Sequence, residues 1–133
     1  MTVTVVLDAS AVLAFVKGEP GGDAVLPHIG TAAISAVNLQ EVVKELALVG
    51  LSADEAEEVL GDLHLDVRPH DAAAAYGAGM LVTATKRYGR GLGDRTCMAL
   101  GIALDLPVLT ADREWRRIAE DEVVEGLVLE FVR

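Results

Sequence analysis

The chain has 133 residues, a length typical of one domain, and we expect a single domain over residues 1–133. Hydrophobic residues make up 52% of it but aromatic residues only 4%, so Val, Leu, Ile and Ala must form the core. No apolar run reaches the roughly 18 residues of a membrane span, and no basic amino-terminal region leads into a signal sequence. We therefore expect a soluble, cytoplasmic protein without membrane contact. The single cysteine, Cys97, excludes an internal disulfide and a cysteine-rich metal site.

The net charge of −10 argues at first against a nucleic-acid partner, because such partners are bound through Lys and Arg. The basic side chains are unevenly distributed, however. Residues 86–117 hold seven basic and four acidic side chains, and this segment alone is positive. Within it, Arg90, Arg95, Arg113 and Arg116 are candidate contacts for a nucleic-acid backbone. The alternative is that these arginines lie on solvated faces.

Strands and helices alternate along the chain. Residues 2–7 are mostly β-branched and run into Asp8, which predicts a buried strand with an acid at its carboxyl end. Ser10 is expected to cap a helix over Ala11–Val16. The later expected elements are a short helix over Asp23–His28, a strand over Ala32–Ile34, a helix opened by Ser35, a helix opened by the Ser52 capping box, a strand over Leu65–Arg68, a long helix from Asp71 to near Tyr88, a helix started by Asp94, a strand over Pro107–Thr110, a last helix containing Trp115, and a closing strand over Leu127–Val132.

Strands separated by helices imply crossover connections, and hence an α/β fold with a parallel sheet covered on both faces. In such a sheet, ligands bind beyond the carboxyl ends of the strands, where the strand order reverses. Asp8 and Asp112 follow the first and fourth strands. Asp94 follows a glycine-bracketed loop, and Glu41 lies in the second turn of its helix.

Each of these acids has an ordinary explanation when taken alone, as a helix cap or a solvated helix residue. Four carboxylates gathered at one edge of a sheet would repel one another unless they were protonated or bound a cation. All-oxygen ligands favour Mg²⁺ or Mn²⁺, and the absence of Cys and His from the set argues against zinc.

Four segments carry these acids: Val6–Ser10, Asn38–Val42, Leu92–Leu100 and Leu109–Trp115. Together they resemble the four acidic motifs of the PIN domain, and most closely those of the VapC toxins of toxin–antitoxin pairs. The resemblance covers nearly the whole chain, in the order and spacing of that family.

The resemblance implies a three-layer α/β/α sandwich with a mainly parallel sheet, and an endoribonuclease that hydrolyses RNA phosphodiester bonds with Mg²⁺ or Mn²⁺. It also implies an RNA substrate, a cognate antitoxin protein as partner, and a homodimer. By their positions in the motifs, the catalytic and metal-binding acids are Asp8, Glu41, Asp94 and Asp112, and the side chains that would orient acids or waters are Ser10, Asn38 and Thr110.

Two other protein classes also place an acid after the first strand of an α/β fold. A phosphatase of the haloacid dehalogenase type needs a second Asp two residues after the first, where this chain has Ser10, and a response-regulator receiver needs paired acids after the first strand. Neither pattern is present. The alternative that stays open is a catalytically silent protein of the same fold that serves only to bind an antitoxin-like partner.

Overall fold

The computed structural model describes residues 2–89 and 91–133. Its strands are β1 (Val5–Leu7), β2 (Ala32–Ser35), β3 (Asp66–Arg68), β4 (Val108–Thr110) and β5 (Leu129–Phe131). Its α-helices are α1 (Ala9–Val16), α2 (Ala36–Leu48), α3 (Ala53–Gly61), α4 (Ala72–Met80), α5 (Val82–Thr85), α6 (Leu92–Leu104) and α7 (Arg116–Asp121). Short 3-10 helices cover Gly22–Ala24, Leu26–His28, Lys86–Tyr88 and Arg113–Trp115.

The five strands form one parallel sheet in the order β3-β2-β1-β4-β5. The chain first builds outward from β1 to β3 and then returns to the other side of β1, so the strand order reverses between β1 and β4. In that pair, Val6 lies opposite Val108 and Leu7 opposite Leu109. The carboxyl ends of β1 and β4 therefore meet at the point where open α/β sheets bind ligands.

Helices cover both faces of the sheet. Successive strand residues point to opposite faces, so Val5 and Leu7 join the core formed with α1, α2 and α3, while Val6 joins the core formed with α6 and α7. The α/β/α arrangement and the parallel sheet predicted from the sequence are confirmed. No helix in the described part of the chain is both long enough and apolar enough to span a membrane.

Several helix predictions were wrong in detail. Trp115, expected within the last helix, lies in the 3-10 turn before α7. Asp8, and not Ser10, caps α1, because the Asp8 carboxylate accepts a hydrogen bond from the Ala11 amide. Residues 23–28 form two 3-10 turns instead of one helix. The helix expected to start at Asp94 starts two residues earlier, at Leu92. Asp94 lies in the first turn of this helix and accepts a hydrogen bond from the Gly91 amide.

The long helix predicted to start after Asp71 is also broken. It ends at Met80, and a short helix and a 3-10 turn carry the chain on to Tyr88. Gly77 and Gly79 lie in the last turns of α4, and glycine weakens a helix. Just after the break, the Thr85 hydroxyl donates a hydrogen bond to the Leu81 carbonyl.

Candidate active site

Two acids lie at the carboxyl ends of the two paired central strands. Asp8 directly follows β1 and is 4% exposed, and Asp112 follows β4 after one intervening alanine. Glu41 in α2 and Asp94 in α6 lie at this edge of the sheet as well and line the same cavity. All four acids line a single open cavity of about 240 Å³, together with Ser10 and Asn38.

The Asp8 carboxylate is held by three hydrogen-bond donors. The Ala11 amide donates to Oδ1 at 2.8 Å, the Thr110 hydroxyl donates to Oδ2 at 2.6 Å, and the Ser10 hydroxyl lies 2.8 and 2.9 Å from the two oxygens. Both oxygens are therefore fixed in direction. One donor comes from α1 backbone, one from the start of α1 and one from β4, so the carboxylate joins the two strand ends.

The same two hydroxyls also bind the segment that follows β4. The Ala111 amide donates to Ser10 Oγ at 2.9 Å, and the Asp112 amide donates to Thr110 Oγ1 at 3.0 Å. Each hydroxyl thus accepts a backbone hydrogen bond and has its own proton available for Asp8. Ser10 and Thr110 link Asp8 to Asp112 across about a hundred residues of sequence.

Glu41 is positioned by Asn38 and Gly93. The Asn38 side chain is 1% exposed, and its Nδ2 donates to the Gly93 carbonyl at 2.9 Å and lies 3.5 Å from Glu41 Oε1. The Glu41 carboxylate packs against Gly93 so closely that a Cβ at this position would overlap its Oε1 atom. A side chain at position 93 would therefore displace the Glu41 carboxylate from its present position.

Burial makes the ionised forms of two of these acids unfavourable. It raises the pKa of Asp8 from 3.8 to about 6, a rise that the hydrogen bonds from Thr110, Ala11 and Ser10 oppose and to which the negative charge of Asp94 adds. Burial also raises the pKa of Glu41, again with a contribution from Asp94. A bound cation would offset this cost.

The donor set fits a hard divalent cation. The four acids offer only oxygen ligands, and the buried Oδ1 atom of Asn38 accepts no hydrogen bond from the residues that the structure describes. The carboxylates are spread around the cavity, however. Within residues 2–89 and 91–133, no three His, Cys, Asp or Glu side chains lie close enough together to ligate one ion directly.

Comparison with known protein families gives a match to the model of the PIN domain over residues 5–121. The chain belongs to the PIN domain family. A comparison with curated protein sequences gives no match.

Solved structures share the fold of this PIN domain at low sequence identity. The DNA-bound VapBC complex of Salmonella typhimurium matches with a TM-score of 0.74 and 22% identity, over 99% of this chain and 100% of the other. VapBC2 of Rickettsia felis, bound to a DNA fragment of its promoter, gives 0.70 and 20% over 96% and 98%. VapBC-5 of Mycobacterium tuberculosis gives 0.59 and 23% over 98% of each chain.

Of the arginines predicted to contact nucleic acid, the three that the structure describes, Arg95, Arg113 and Arg116, do not line the cavity of this PIN domain. Arg113 is exposed, and Arg95 is half-buried in the first turn of α6. Arg116 stacks on the Phe131 ring with its guanidinium carbon 4.5 Å from the ring centre, and it donates to the Arg133 carbonyl. Arg90 lies outside the described residues.

Sequence reasoning missed several residues of the site. Lys44 and Glu45 line the cavity from the helix that carries Glu41, and Leu13 lines it from α1. Their spacing of three and four residues from Glu41 was the available signal, since such residues share one helix face. Arg133 was missed as well; its Nε donates at 3.3 Å to the carbonyl of Ala111, next to Asp112.

Proposed function

We propose that this PIN domain is a metal-dependent endoribonuclease, and that it is the toxin of a toxin–antitoxin pair. The observation that carries the proposal is the cavity in which four acids from β1, α2, α6 and the end of β4 face one another at the reversal of strand order. The acids proposed to act there are Asp8, Glu41, Asp94 and Asp112.

These acids would hold Mg²⁺ or Mn²⁺. Such an ion, when bound, lowers the pKa of a coordinated water and stabilises the leaving oxygen of a phosphodiester. Mg²⁺ in proteins is commonly bound through one or two carboxylates, with water at the other positions. That mode of binding does not require three carboxylates around one ion.

The protein's own part is to orient the acids. Ser10 and Thr110 fix both oxygens of Asp8, and Asn38 bridges Glu41 to the backbone of α6. Because these donors are buried or half-buried, the carboxylates keep their directions without a bound ligand. We infer that Ser10, Asn38 and Thr110 are positioning residues.

RNA must approach a chain of net charge −10. We propose that Arg95, Arg113 and Arg116 offset this charge beside the cavity, since Arg95 follows Asp94 and Arg113 follows Asp112 directly in sequence. Arg90 is proposed on its sequence position alone. These contacts would be to the backbone and would weaken with salt.

Similarity to the VapBC complexes supports an antitoxin as the protein partner, and we propose that the two proteins meet in the cytoplasm. Two apolar surfaces in the described part of the chain are candidates for protein contacts. One is a groove of about 550 Å³ between α2, α3 and β3, and the other is the outer face of α4, where Tyr76 is 78% and Met80 72% exposed. We propose that an antitoxin and a second copy of this chain cover such surfaces.

A silent interaction module is the second candidate. The spread of the carboxylates favours it, because no three of the described acids are close enough to ligate one ion directly. The two candidates differ in whether the acids are needed for RNA cleavage, for partner binding, or for neither.

Cleavage of RNA by the purified chain tests the proposal. The chain, freed of any co-purified protein, is incubated with an end-labelled pool of structured cellular RNAs in Mg²⁺, in Mn²⁺ and in chelator, with Asp94→Asn alongside. We expect discrete cuts that need the metal and are absent from the variant. Cuts of equal intensity in the variant would refute the metal assignment, and no cuts with either protein would favour the silent module.

A further inference from the structure

Lys44 is the basic side chain of the acid-lined cavity. The described residues that line this cavity include the four acids and Glu45, and among them only Lys44 has a positive charge. It lies three residues after Glu41, on the same face of α2. A cation at the mouth of an acidic site is placed where a negatively charged substrate must pass.

The present partner of Lys44 holds it weakly. Its Nζ lies 2.9 Å from Glu45 Oε1, and the two side chains are 60% and 35% exposed. Exposed ion pairs of this kind contribute little, because solvent screens them and two long side chains must be ordered. The ammonium can therefore leave Glu45 for a stronger anion at small cost, and its flexible four-carbon stem gives it the reach.

We propose that Lys44 binds a phosphate of the substrate strand next to the acids, and so brings an anion to a cavity that would otherwise repel it. The inference rests on the proposed RNA substrate and goes beyond it by naming the residue that receives the phosphate. Lys44 is then a substrate-binding residue, and Glu45 holds it at the mouth of the cavity between substrates.

A different role would also explain the position of Lys44. It could be a permanent counter-ion that keeps the acid cluster from repelling itself, with no contact to RNA. The two roles differ in what happens to metal binding and to salt dependence when the charge is removed. Removing a counter-ion that maintains the site would disturb the acids, whereas removing a phosphate contact would leave the acids intact and more negative.

The test measures binding of a labelled single-stranded RNA to Asp94→Asn protein in Mn²⁺, with and without Lys44→Met, over a range of salt concentrations. We expect Lys44→Met to weaken binding about tenfold at low salt. The slope of log affinity against log salt should shrink by about 0.7, the value for one phosphate contact on a single strand. Lys44→Arg should keep most of the affinity and the full slope, because the charge is retained.

Lys86→Met is the matched control, since Lys86 is an exposed lysine outside the cavity, and it should change neither affinity nor slope. The Mn²⁺ affinities of the parent chain and of Lys44→Met are measured in parallel. Lys44→Met should bind Mn²⁺ as tightly as the parent chain or more tightly. An unchanged salt slope in Lys44→Met, a loss reproduced by Lys86→Met, or weaker Mn²⁺ binding in Lys44→Met would each overturn the inference.

The binding measurement does not depend on cleavage. If the parent chain cuts no RNA but Lys44→Met still loses affinity and slope, the phosphate contact stands and the nuclease proposal fails. If the parent chain cuts RNA and Lys44→Met cuts it with unchanged kcat/KM and unchanged salt dependence, the nuclease stands and the phosphate contact fails.

Discussion

Two hydroxyl groups orient the Asp8 carboxylate. Ser10 and Thr110 each accept a backbone N–H from the segment after β4, and each directs its own proton at the Asp8 carboxylate. Thr110 is fully buried, and its hydroxyl reaches Asp8 at 2.6 Å. The orientation of one acid and the position of the other are thus set by the same pair of side chains.

Thr110→Val keeps the shape of the side chain but removes both hydrogen bonds. It removes the acceptor of the Asp112 amide and one of the two hydroxyl donors beside Asp8 Oδ2, and we expect the free energy of unfolding to fall by about 1–3 kcal/mol. Mn²⁺ affinity should fall roughly 10- to 100-fold, as is usual when a residue supporting a metal ligand is lost. Thr110→Ser is the matched control and should retain most of both. Equal Mn²⁺ affinity in the valine variant and the parent would show that the hydroxyl does not position the acids.

Burial of Asp8 also predicts a pH dependence. Because its pKa rises from 3.8 in the unfolded chain to about 6 in the folded protein, protonated Asp8 stabilises the metal-free fold fully below pH 3.8. That contribution is lost as the pH rises through about 6, and it amounts to about 3 kcal/mol at most. In chelator, the parent should therefore lose stability relative to Asp8→Asn between pH 4 and pH 7.

Chemical denaturation of the two proteins across this pH range measures the difference. Subtracting the Asp8→Asn profile removes the contributions of the other acids. Saturating Mn²⁺ should abolish the loss at pH 7, since a cation bound to the carboxylate offsets the cost of its charge. A parent profile parallel to that of the variant would mean that Asp8 is not held in a destabilised charged form.

Helix α6 positions Asp94 at the cavity because the helix packs tightly on β4. The contact is at Gly101, where a Cβ would overlap the buried Val108 Cγ2 atom and lie 3.2 Å from the Leu106 carbonyl oxygen. Val108 is fully buried in the central sheet, so it has no room to move aside. The absence of a side chain at Gly101 sets the distance between helix and strand.

Gly101→Ala should lower the free energy of unfolding by about 1–3 kcal/mol, the usual cost of overpacking a core. Val108→Ala alone should cost about 2 kcal/mol through lost burial and a cavity. The double variant should lose about 1 kcal/mol less than the sum, because the new methyl occupies the space that the valine leaves. Gly61→Ala is a suitable control, since open space surrounds Gly61 in α3. Strictly additive losses would contradict the packing account.

Local sequence patterns predict some of the helices and strands and fail to predict others. The strand before Asp8 and the Ser52 capping box were both predicted from local patterns. The capping box is found as predicted, and the strand, expected over residues 2–7, is found over Val5–Leu7. The break of the alanine-rich helix after Met80 and the capping of α1 by Asp8 were not predicted. Local propensity could not decide either feature. For the cap of α1, Ser10 is a good candidate in isolation, but its hydroxyl instead donates to the Asp8 carboxylate and accepts from the Ala111 amide.

The topology of the sheet brings together acids that are far apart in the sequence. Strand alternation alone predicted that Asp8 and Asp112 would lie at one edge, and the order β3-β2-β1-β4-β5 makes β1 and β4 neighbours there. The inclusion of Lys44 and Glu45 in the cavity was not predicted. Helical spacing placed them near Glu41, but only the packing of α2 against the sheet and α6 shows that this face of the helix opens into the cavity.

We propose that the four acids act together on one cation, and Mn²⁺ binding is the sharpest test of this. Free Mn²⁺ is measured by electron paramagnetic resonance during titration of the purified chain and of Asp8→Asn, Glu41→Gln, Asp94→Asn and Asp112→Asn. Asp62→Asn, an exposed acid at the end of α3, is the control. We predict that each of the four variants binds Mn²⁺ about tenfold or more weakly while the control binds as the parent does. Four variants that bind Mn²⁺ as tightly as the parent would contradict the account.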